Sequence, residues 1–255
     1  METINQIKLE PSFDGSFGNG WKVMNKHFLT LLLVVFILGI IVTPAMVLNI
    51  HLDGKDFNWH DWHSIYNITF FQPGIVALTI LTLLIGLFAL AYKLLLTPVF
   101  VFGANLMFVH AVRDTRPQFE TLVSGFKENY FYIVLANLLT TALVMMGMLI
   151  LIIPGIIIGC RLAFVSYLVM DKKLDPIVAV EESWKLTKGH GWTIFFMGFV
   201  SFFIIVIGLC MCFVGIYPAL VWVKGSWASM YEAVLTEKNA LNGNNVVNNN
   251  TSDTH

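Results

Sequence analysis

The chain has 255 residues, of which 57% are hydrophobic and 12% are charged, and its formal net charge is −1. Soluble domains usually carry about 25% charged residues, so this composition excludes an ordinary water-facing surface. A nearly neutral chain also gives no support to nucleic-acid binding, which needs a strongly basic face. The apolar residues form uninterrupted runs of bilayer-spanning length, without the alternation of barrel strands. The sequence therefore predicts an all-α, polytopic membrane helix bundle.

The chain opens with a polar segment, 1–27, that we expect to be cytoplasmic and to enter the membrane through an amphipathic helix. The first apolar run, 28–50, is too long for the core of a signal peptide, so we expect it to remain in the mature protein. A polar outer loop, 51–72, follows. Its His60 and His63 have a spacing that could ligate a metal, but a Trp-rich loop is more typical of an aromatic belt at the membrane surface. We predict no metal and no cofactor.

The next apolar stretch, 73–112, is 40 residues long, about twice what one crossing needs. Two crossings there would place the basic segments 113–129 and 171–191 outside, against the preference of Lys and Arg for the cytoplasmic side. We therefore predict a single crossing with a kink at Pro98, whose end continues as a kinked or interfacial helix.

The second half of the chain predicts four further spans. A tight turn at Pro154-Gly155 separates the first two of these. The tail, 238–255, is rich in Asn and lacks the apolar residues needed to fold, so we expect it to be disordered. The four spans of the second half cover 130–153, 156–170, 192–214 and 215–235. Together with the two earlier spans they make six crossings in one membrane domain, 28–237.

The placement of basic residues predicts the orientation. With six crossings and both termini in the cytoplasm, eleven Lys and Arg residues outside the spans are cytoplasmic and only Lys55 is external. This is the bias expected of a multi-pass protein.

An aromatic-lysine signature occurs three times, each time shortly before a predicted span. The aromatic ring would lie at the lipid headgroups and the lysine would reach the phosphates. The alternate spans share a proline, so we interpret the chain as three helical hairpins, each preceded by a short amphipathic helix. These helices are either anchors alone or a cytoplasmic docking surface for a partner. The signature is Trp21-Lys22, Phe126-Lys127 and Trp184-Lys185, and the prolines are Pro98, Pro154 and Pro218.

A set of motifs between about residues 90 and 235 resembles a known family when taken in order. The chain is similar to a bacterial family of polytopic membrane proteins of unknown function, and in turn to the membrane domain of some glycerophosphoryl diester phosphodiesterases. The motifs are Ser124-Gly125-Phe126-Lys127, Ile153-Pro154-Gly155-Ile156-Ile157, Arg161, Tyr167-Leu168-Val169-Met170-Asp171, the run from Glu182 to His190, Gly215-Ile216-Tyr217-Pro218 and Ser229-Met230-Tyr231.

This resemblance implies a six-helix bundle in a bacterial cytoplasmic membrane. It implies no activity, because the family has no established function. The catalytic domain of the phosphodiesterases, a barrel of about 250 residues, has no room in this chain.

Three polar residues follow the shared prolines at similar distances. Arg161 lies seven residues after its proline, Asn105 seven and Lys224 six. A charge inside a span costs about 2.5–3.5 kcal/mol on insertion scales, so it should face a cavity, a partner or a headgroup. We predict a cationic patch suited to phosphate or carboxylate, with snorkelling to the membrane surface as the simpler alternative.

The sequence contains no recognisable nucleophile and base, no paired carboxylates within a span and no phosphate-binding glycine loop. We therefore expect a non-enzymatic scaffold or accessory protein that binds membrane lipids or a membrane partner. The alternative is a small transporter or channel subunit for an anionic or amphiphilic solute. The sequence does not indicate an oligomeric state.

Overall fold

The computed structural model describes residues 11–51, 73–127, 130–211 and 215–252, and all the regular structure in these ranges is helical. Most of the predicted outer loop, 52–72, lies outside the described residues. The helices are α1 (Phe13–Lys26), α2 (Phe28–His51), α3 (Pro73–Ala91), α4 (Thr97–Val112), α5 (Glu120–Lys127), α6 (Tyr130–Ile150), α7 (Ile152–Arg161), α8 (Val165–Asp171), α9 (Pro176–Leu186), α10 (Gly191–Cys210) and α11 (Ile216–Ser252).

Four of the helical segments in the described ranges are long and apolar enough to cross a membrane, and a fifth is added if α1 and α2 count together. This is the pattern of a multi-pass membrane protein. The four segments are Ile80–Val112, Tyr130–Ile150, Ile152–Asp171 and Gly191–Cys210. The predicted last span, which lies in α11, is not among them.

The amphipathic helix predicted before the first span is α1. Ser12 begins it by accepting a hydrogen bond from the Gly15 N–H on its side-chain oxygen (3.1 Å), as an N-cap residue does. At His27 the chain turns, and α1 and the described part of α2 are bent by 98°. The two helices therefore do not form one straight span.

The stretch 73–112 is one continuous run of helix, as one crossing requires. The α-helix is interrupted at Tyr92–Leu96 by a π-helical turn, in which the Thr97 N–H donates to the carbonyl of Tyr92, five residues back. Pro98 follows at once and has no N–H to donate, so the backbone shifts its hydrogen bonds just before it.

The prolines begin helices instead of making turns. Pro98, Pro154 and Pro218 all lie in the first turn of α4, α7 and α11. A helix can accept proline there because the first N–H groups have no partner within the helix. The prediction of a turn at Pro154-Gly155 is wrong, because the chain turns at Leu151, whose backbone is extended.

Glycines allow a close approach of consecutive helices where α7 follows α6 and where α11 follows α10. A Cβ on Gly147 in α6 would lie 3.0 Å from the Cα of Gly155 in α7. A Cβ on Gly208 in α10 would lie 2.8 Å from the carbonyl oxygen of Gly215, just before α11. Both contacts leave no room for a side chain, so the consecutive helices approach closely where the chain turns back.

The three helices α4, α8 and α11 form the interior. Nearly every residue of α4 from Pro98 to Val112 is buried, whereas the apolar side chains of α3 from Ile80 onward are mostly exposed. The ends of α6 and α10, and the start of α7, are likewise apolar and exposed. An apolar exterior around a packed interior is what a lipid environment allows.

The predicted cytoplasmic segments meet at one end of the molecule. Ion pairs join the end of α1 to the residues after α4, those residues to the end of α8 and the middle of α11, and α9 to α11. The single crossing by 73–112 stays a prediction, and it requires 113–129 and α1 to lie at the same end. The pairs are Lys26 with Asp114, Arg113 with Asp171 and Glu232, and Lys238 with Glu182.

The predicted disordered tail differs from the structure, because α11 continues through it to Ser252. No proline interrupts this stretch, and Gly243 is its only glycine. A helix already stabilised by packing adds one hydrogen bond for each further residue, which offsets the weak helix preference of Asn.

Candidate functional site

The helices that carry the aromatic-lysine signature, α1, α5 and α9, are here called the signature helices. In each, the residue before the aromatic ring is small and buried, while the following lysine is exposed. The small residues are Gly20, Gly125 and Ser183, and the exposed lysines are Lys22, Lys127 and Lys185. The signature therefore has two parts, a small residue for packing inward and an aromatic-lysine pair at the surface.

Each small residue makes a close contact. A Cβ on Gly20 would lie 2.6 Å from the backbone nitrogen of Ser226 in α11. A Cβ on Gly125 would lie 3.0 Å from a methyl group of Val99 in α4. Ser183 donates to the carbonyl of Arg161 at 2.8 Å. At Gly20 and Gly125 no side chain would fit without movement.

The signature helices share a packing rule. Helix α5 packs on α4 and α9 on α8, in each case the helix that ends just before it in the chain. Helix α1 instead packs on the last helix, α11, through contacts that include Asn19 to Ser229 (3.0 Å) and the Trp222 indole to the Phe17 carbonyl (3.1 Å). The pairs α4–α5, α8–α9 and α11–α1 also contact one another, through α4 with α8, α4 with α11 and α9 with α11, and we call this arrangement the ring.

Two of the three predicted patch residues come together inside this ring. The Lys224 ammonium donates to Asn105 Oδ1 (3.0 Å), and Asn105 Nδ2 donates to Ser166 Oγ (3.1 Å). One residue comes from each of α11, α4 and α8. The sequence predicts Arg161 in the place that Ser166 takes. Arg161 is the last residue of α7, and the chain turns at Leu162–Phe164 before Ser166 enters this layer from α8.

A second polar cluster lies two helical turns further along α4 and α11. Arg113 binds both carboxylate oxygens of Asp171 (2.5 and 2.8 Å) and contacts Glu232 at 2.9 Å. The Tyr231 hydroxyl donates to Asp171 at 2.9 Å, and its ring stacks on Tyr167. We name these residues the end cluster. Burial opposes the charge on Arg113, but hydrogen bonds to the two carboxylates outweigh it and raise the pKa of the guanidinium.

The end cluster was not predicted from the sequence, although a signal existed. Its three charged members follow the shared prolines by 14–17 residues, one in each repeat. Their charges differ in sign, so a search for a common cation could not find them. The structure shows that the residue after α4, the last residue of α8 and one residue of α11 form one ion-pair network.

Arg161 lies away from both polar layers. It lines a cavity of about 540 Å³ between α7 and α10, together with Ile153, Ile157, Trp192 and other apolar residues. Gly191, the first residue of the candidate span Gly191–Cys210, lines the same cavity. Arg161 therefore lies near the first residue of that span, at the break between α7 and α8 within the candidate span Ile152–Asp171.

The guanidinium of Arg161 is only partly satisfied. Its carbon lies 5.7 Å from the centre of the Trp184 ring, a cation–π distance. Its Nη1 atom is buried and has no hydrogen-bond partner among the residues that the structure describes. An unpaired buried donor on a charged group is costly, so this atom is suited to binding an anionic oxygen.

The structure places the remaining predicted site residues on the surface or at helix starts. The signature aromatics Trp21 and Trp184 are about half exposed, and Phe126 stacks on Tyr130. Within the described ranges, no group of three His, Cys, Asp or Glu side chains could hold a metal ion.

Comparison with protein-family models, with curated proteins and with solved structures found no match to this chain. The resemblance to the bacterial membrane family and to the phosphodiesterase membrane domain therefore stays a prediction.

Proposed function

We propose that this chain is a non-enzymatic, six-span scaffold or accessory protein of a bacterial cytoplasmic membrane, with both termini in the cytoplasm. It binds anionic lipid headgroups or a membrane partner through the signature helices and the region of Arg161. The observation that carries the proposal is the common design of the three signature helices. Each buries a small residue and leaves its lysine exposed, and their flanking segments meet at one end of the bundle.

The surface chemistry supports anionic lipid as the ligand. Aromatic rings prefer the depth of the headgroups, and lysines beside them are attracted to an anionic surface by about 1 kcal/mol each. Three such lysines on one end of a membrane protein would enrich anionic lipid around it. A partner with an acidic face would bind to the same lysines. The lipid-binding and the partner-binding forms of the proposal therefore both predict that replacing these lysines weakens binding.

The test compares a triple variant, Lys22→Gln, Lys127→Gln and Lys185→Gln, with the parent chain in polymer-bounded membrane discs. The measurements are the ratio of phosphatidylglycerol to phosphatidylethanolamine retained in the discs and the proteins that co-purify. We expect the triple variant to lose the enrichment of anionic lipid, any co-purifying partner, or both. The charge-matched control is Arg116→Gln, Lys172→Gln and Lys188→Gln, which removes three other exposed cations. Equal loss in both variants would contradict the proposal.

A second candidate function is a small transporter or channel subunit for an anionic or amphiphilic solute. The observation in its favour is the polar layer of Asn105, Ser166 and Lys224, which lies among the three interior helices. A transporter would lose solute flux in Lys224→Met and in Arg161→Ala while its amount in the membrane stayed normal. The scaffold would keep its lipid enrichment in Lys224→Met, so the two functions separate on one variant.

A further inference from the structure

We propose that the cavity between α7 and α10 binds one anionic phospholipid, with its phosphate on Arg161 and an acyl chain along the apolar lining. This inference rests on the proposed function and deepens it, because it assigns one specific lipid site distinct from the lysines of the signature helices.

The cationic end of the cavity is built to receive an anion. Arg161 Nη1 is buried and unpaired in the described structure, and no acidic residue is among those that line the cavity. Trp184 covers one face of the guanidinium, and a rotation of the Arg161 side chain would turn the edge with its N–H groups into the cavity that this residue lines. A phosphate has the geometry that such an edge binds best.

The backbone on either side of this site is held in place. The carbonyl of Arg161 accepts hydrogen bonds from Ser183 Oγ at 2.8 Å and from Thr187 Oγ1 at 3.3 Å. These bonds attach the end of α7 to α9. Helix α10 begins beside the cavity at Gly191, and no side chain caps its first turn. The positive end of that helix adds to the attraction for an anion.

The rest of the cavity selects a lipid over a free anion. Ile153, Ile156 and Ile157 of α7 line it, facing Trp192 and Phe195 of α10. Ile153 and Trp192 are 72% and 76% exposed, so the cavity opens on the apolar exterior of the bundle. Its volume of about 540 Å³ suits a chain-sized ligand, whereas a free phosphate would leave the apolar part empty. Charge at one end and an apolar channel beside it match one phospholipid.

The test uses native mass spectrometry of the full chain with phosphatidylglycerol, phosphatidylcholine or inorganic phosphate added. We expect the parent chain to retain one phosphatidylglycerol more tightly than phosphatidylcholine, and inorganic phosphate to leave its thermal unfolding temperature unchanged. Arg161→Gln should weaken the bound phosphatidylglycerol about tenfold or more, the effect of removing one charged hydrogen bond. Arg116→Gln, an exposed arginine elsewhere, should not.

A second variant tests the apolar lining of the cavity, and its result can be interpreted even if the Arg161→Gln variant does not fold. Ile157→Trp keeps Arg161 but fills part of the cavity, so the bound phosphatidylglycerol should also be lost. Retention of the lipid in Ile157→Trp, or equal loss in Arg161→Gln and Arg116→Gln, would overturn the proposal. So would stabilisation by inorganic phosphate alone, which would assign the arginine to a free anion.

The two proposals fail separately. If the triple lysine variant keeps the enrichment of anionic lipid but Arg161→Gln loses the single bound molecule, the cavity site stands and the role of the signature helices is wrong. The reverse result would remove the cavity site and leave the proposed function.

Discussion

At the scale of single residues, the charged groups of this chain are organised by position within each repeat. Arg113 follows the last residue of α4, Asp171 ends α8 and Glu232 lies midway along α11, and the three side chains form the ion pairs of the end cluster. Asp171 keeps only 8% of its side chain exposed, so its charge depends on the arginine. A carboxylate that loses such a partner must either remain unpaired or take up a proton.

We expect Arg113→Met to lower the free energy of unfolding by about 2 kcal/mol, within the range for hydrogen bonds to charged groups. The estimate is below that for a fully buried pair because 31% of the Arg113 side chain is exposed. The measurement is thermal or denaturant-induced unfolding of the purified protein in detergent.

Lys185→Gln is the matched control, because Lys185 is 62% exposed and its contact with Glu181 is 4.0 Å long. An exposed pair of this kind contributes little. If the two variants unfold at the same temperature, the end cluster does not stabilise the fold.

At the scale of elements, the packing of the signature helices depends on glycines, which allow two helices to approach closely because they have no side chain. Gly20 lets α1 rest on the backbone of α11, and Gly103 in α4 does the same for α5, where a Cβ would lie 2.5 Å from the carbonyl oxygen of Leu122. Small residues are how membrane helices approach closely, since lipid offers no hydrophobic drive for their association.

The glycines of α1 allow a paired test of this packing. Gly20→Ala places a methyl group against backbone atoms of Ser226, and we expect a loss of about 1–3 kcal/mol, the usual cost of overpacking. Gly18→Ala in the same helix meets nothing within 4 Å and should gain up to about 1 kcal/mol from helix propensity. Unfolding in detergent measures both, and destabilisation by Gly18→Ala equal to that by Gly20→Ala would show that the contact with α11 does not matter.

At the scale of the whole molecule, ion pairs bring the end of α1, the residues after α4, the end of α8 and helices α9 and α11 together at one end. The contact of α1 with α11 joins the first described helix to the last and completes the ring. The ion pair of Lys26 with Asp114 brings the end of α1 to the residues just after α4.

This arrangement predicts the side on which single cysteines react. In a background without native cysteines, Lys22→Cys, Lys127→Cys and Lys185→Cys should react with a membrane-impermeant maleimide only after the cells are permeabilised. Lys55→Cys, in the predicted outer loop, should react in intact cells. Reaction of Lys127→Cys but not Lys22→Cys in intact cells would mean that 73–112 crosses twice.

The sequence by itself determined the class of this protein. Runs of apolar residues longer than a bilayer is thick leave helices as the solution in lipid, and the charge distribution determined the expected parity. The repeated aromatic-lysine signature correctly marked α1, α5 and α9 as separate helices, because amphipathic patterns are local and are read from neighbouring residues.

Only the tertiary structure decided which residues meet. It paired Lys224 with Asn105, put Ser166 where Arg161 was expected, and joined Arg113 to two carboxylates from distant parts of the chain. Equal spacing from a proline could not predict this, since α7 ends at Arg161 and a three-residue turn redirects the chain before Ser166 and Asp171. Contacts between helices depend on the direction of each axis, and that direction is set by close packing and by breaks in the helices, which local sequence pattern does not record.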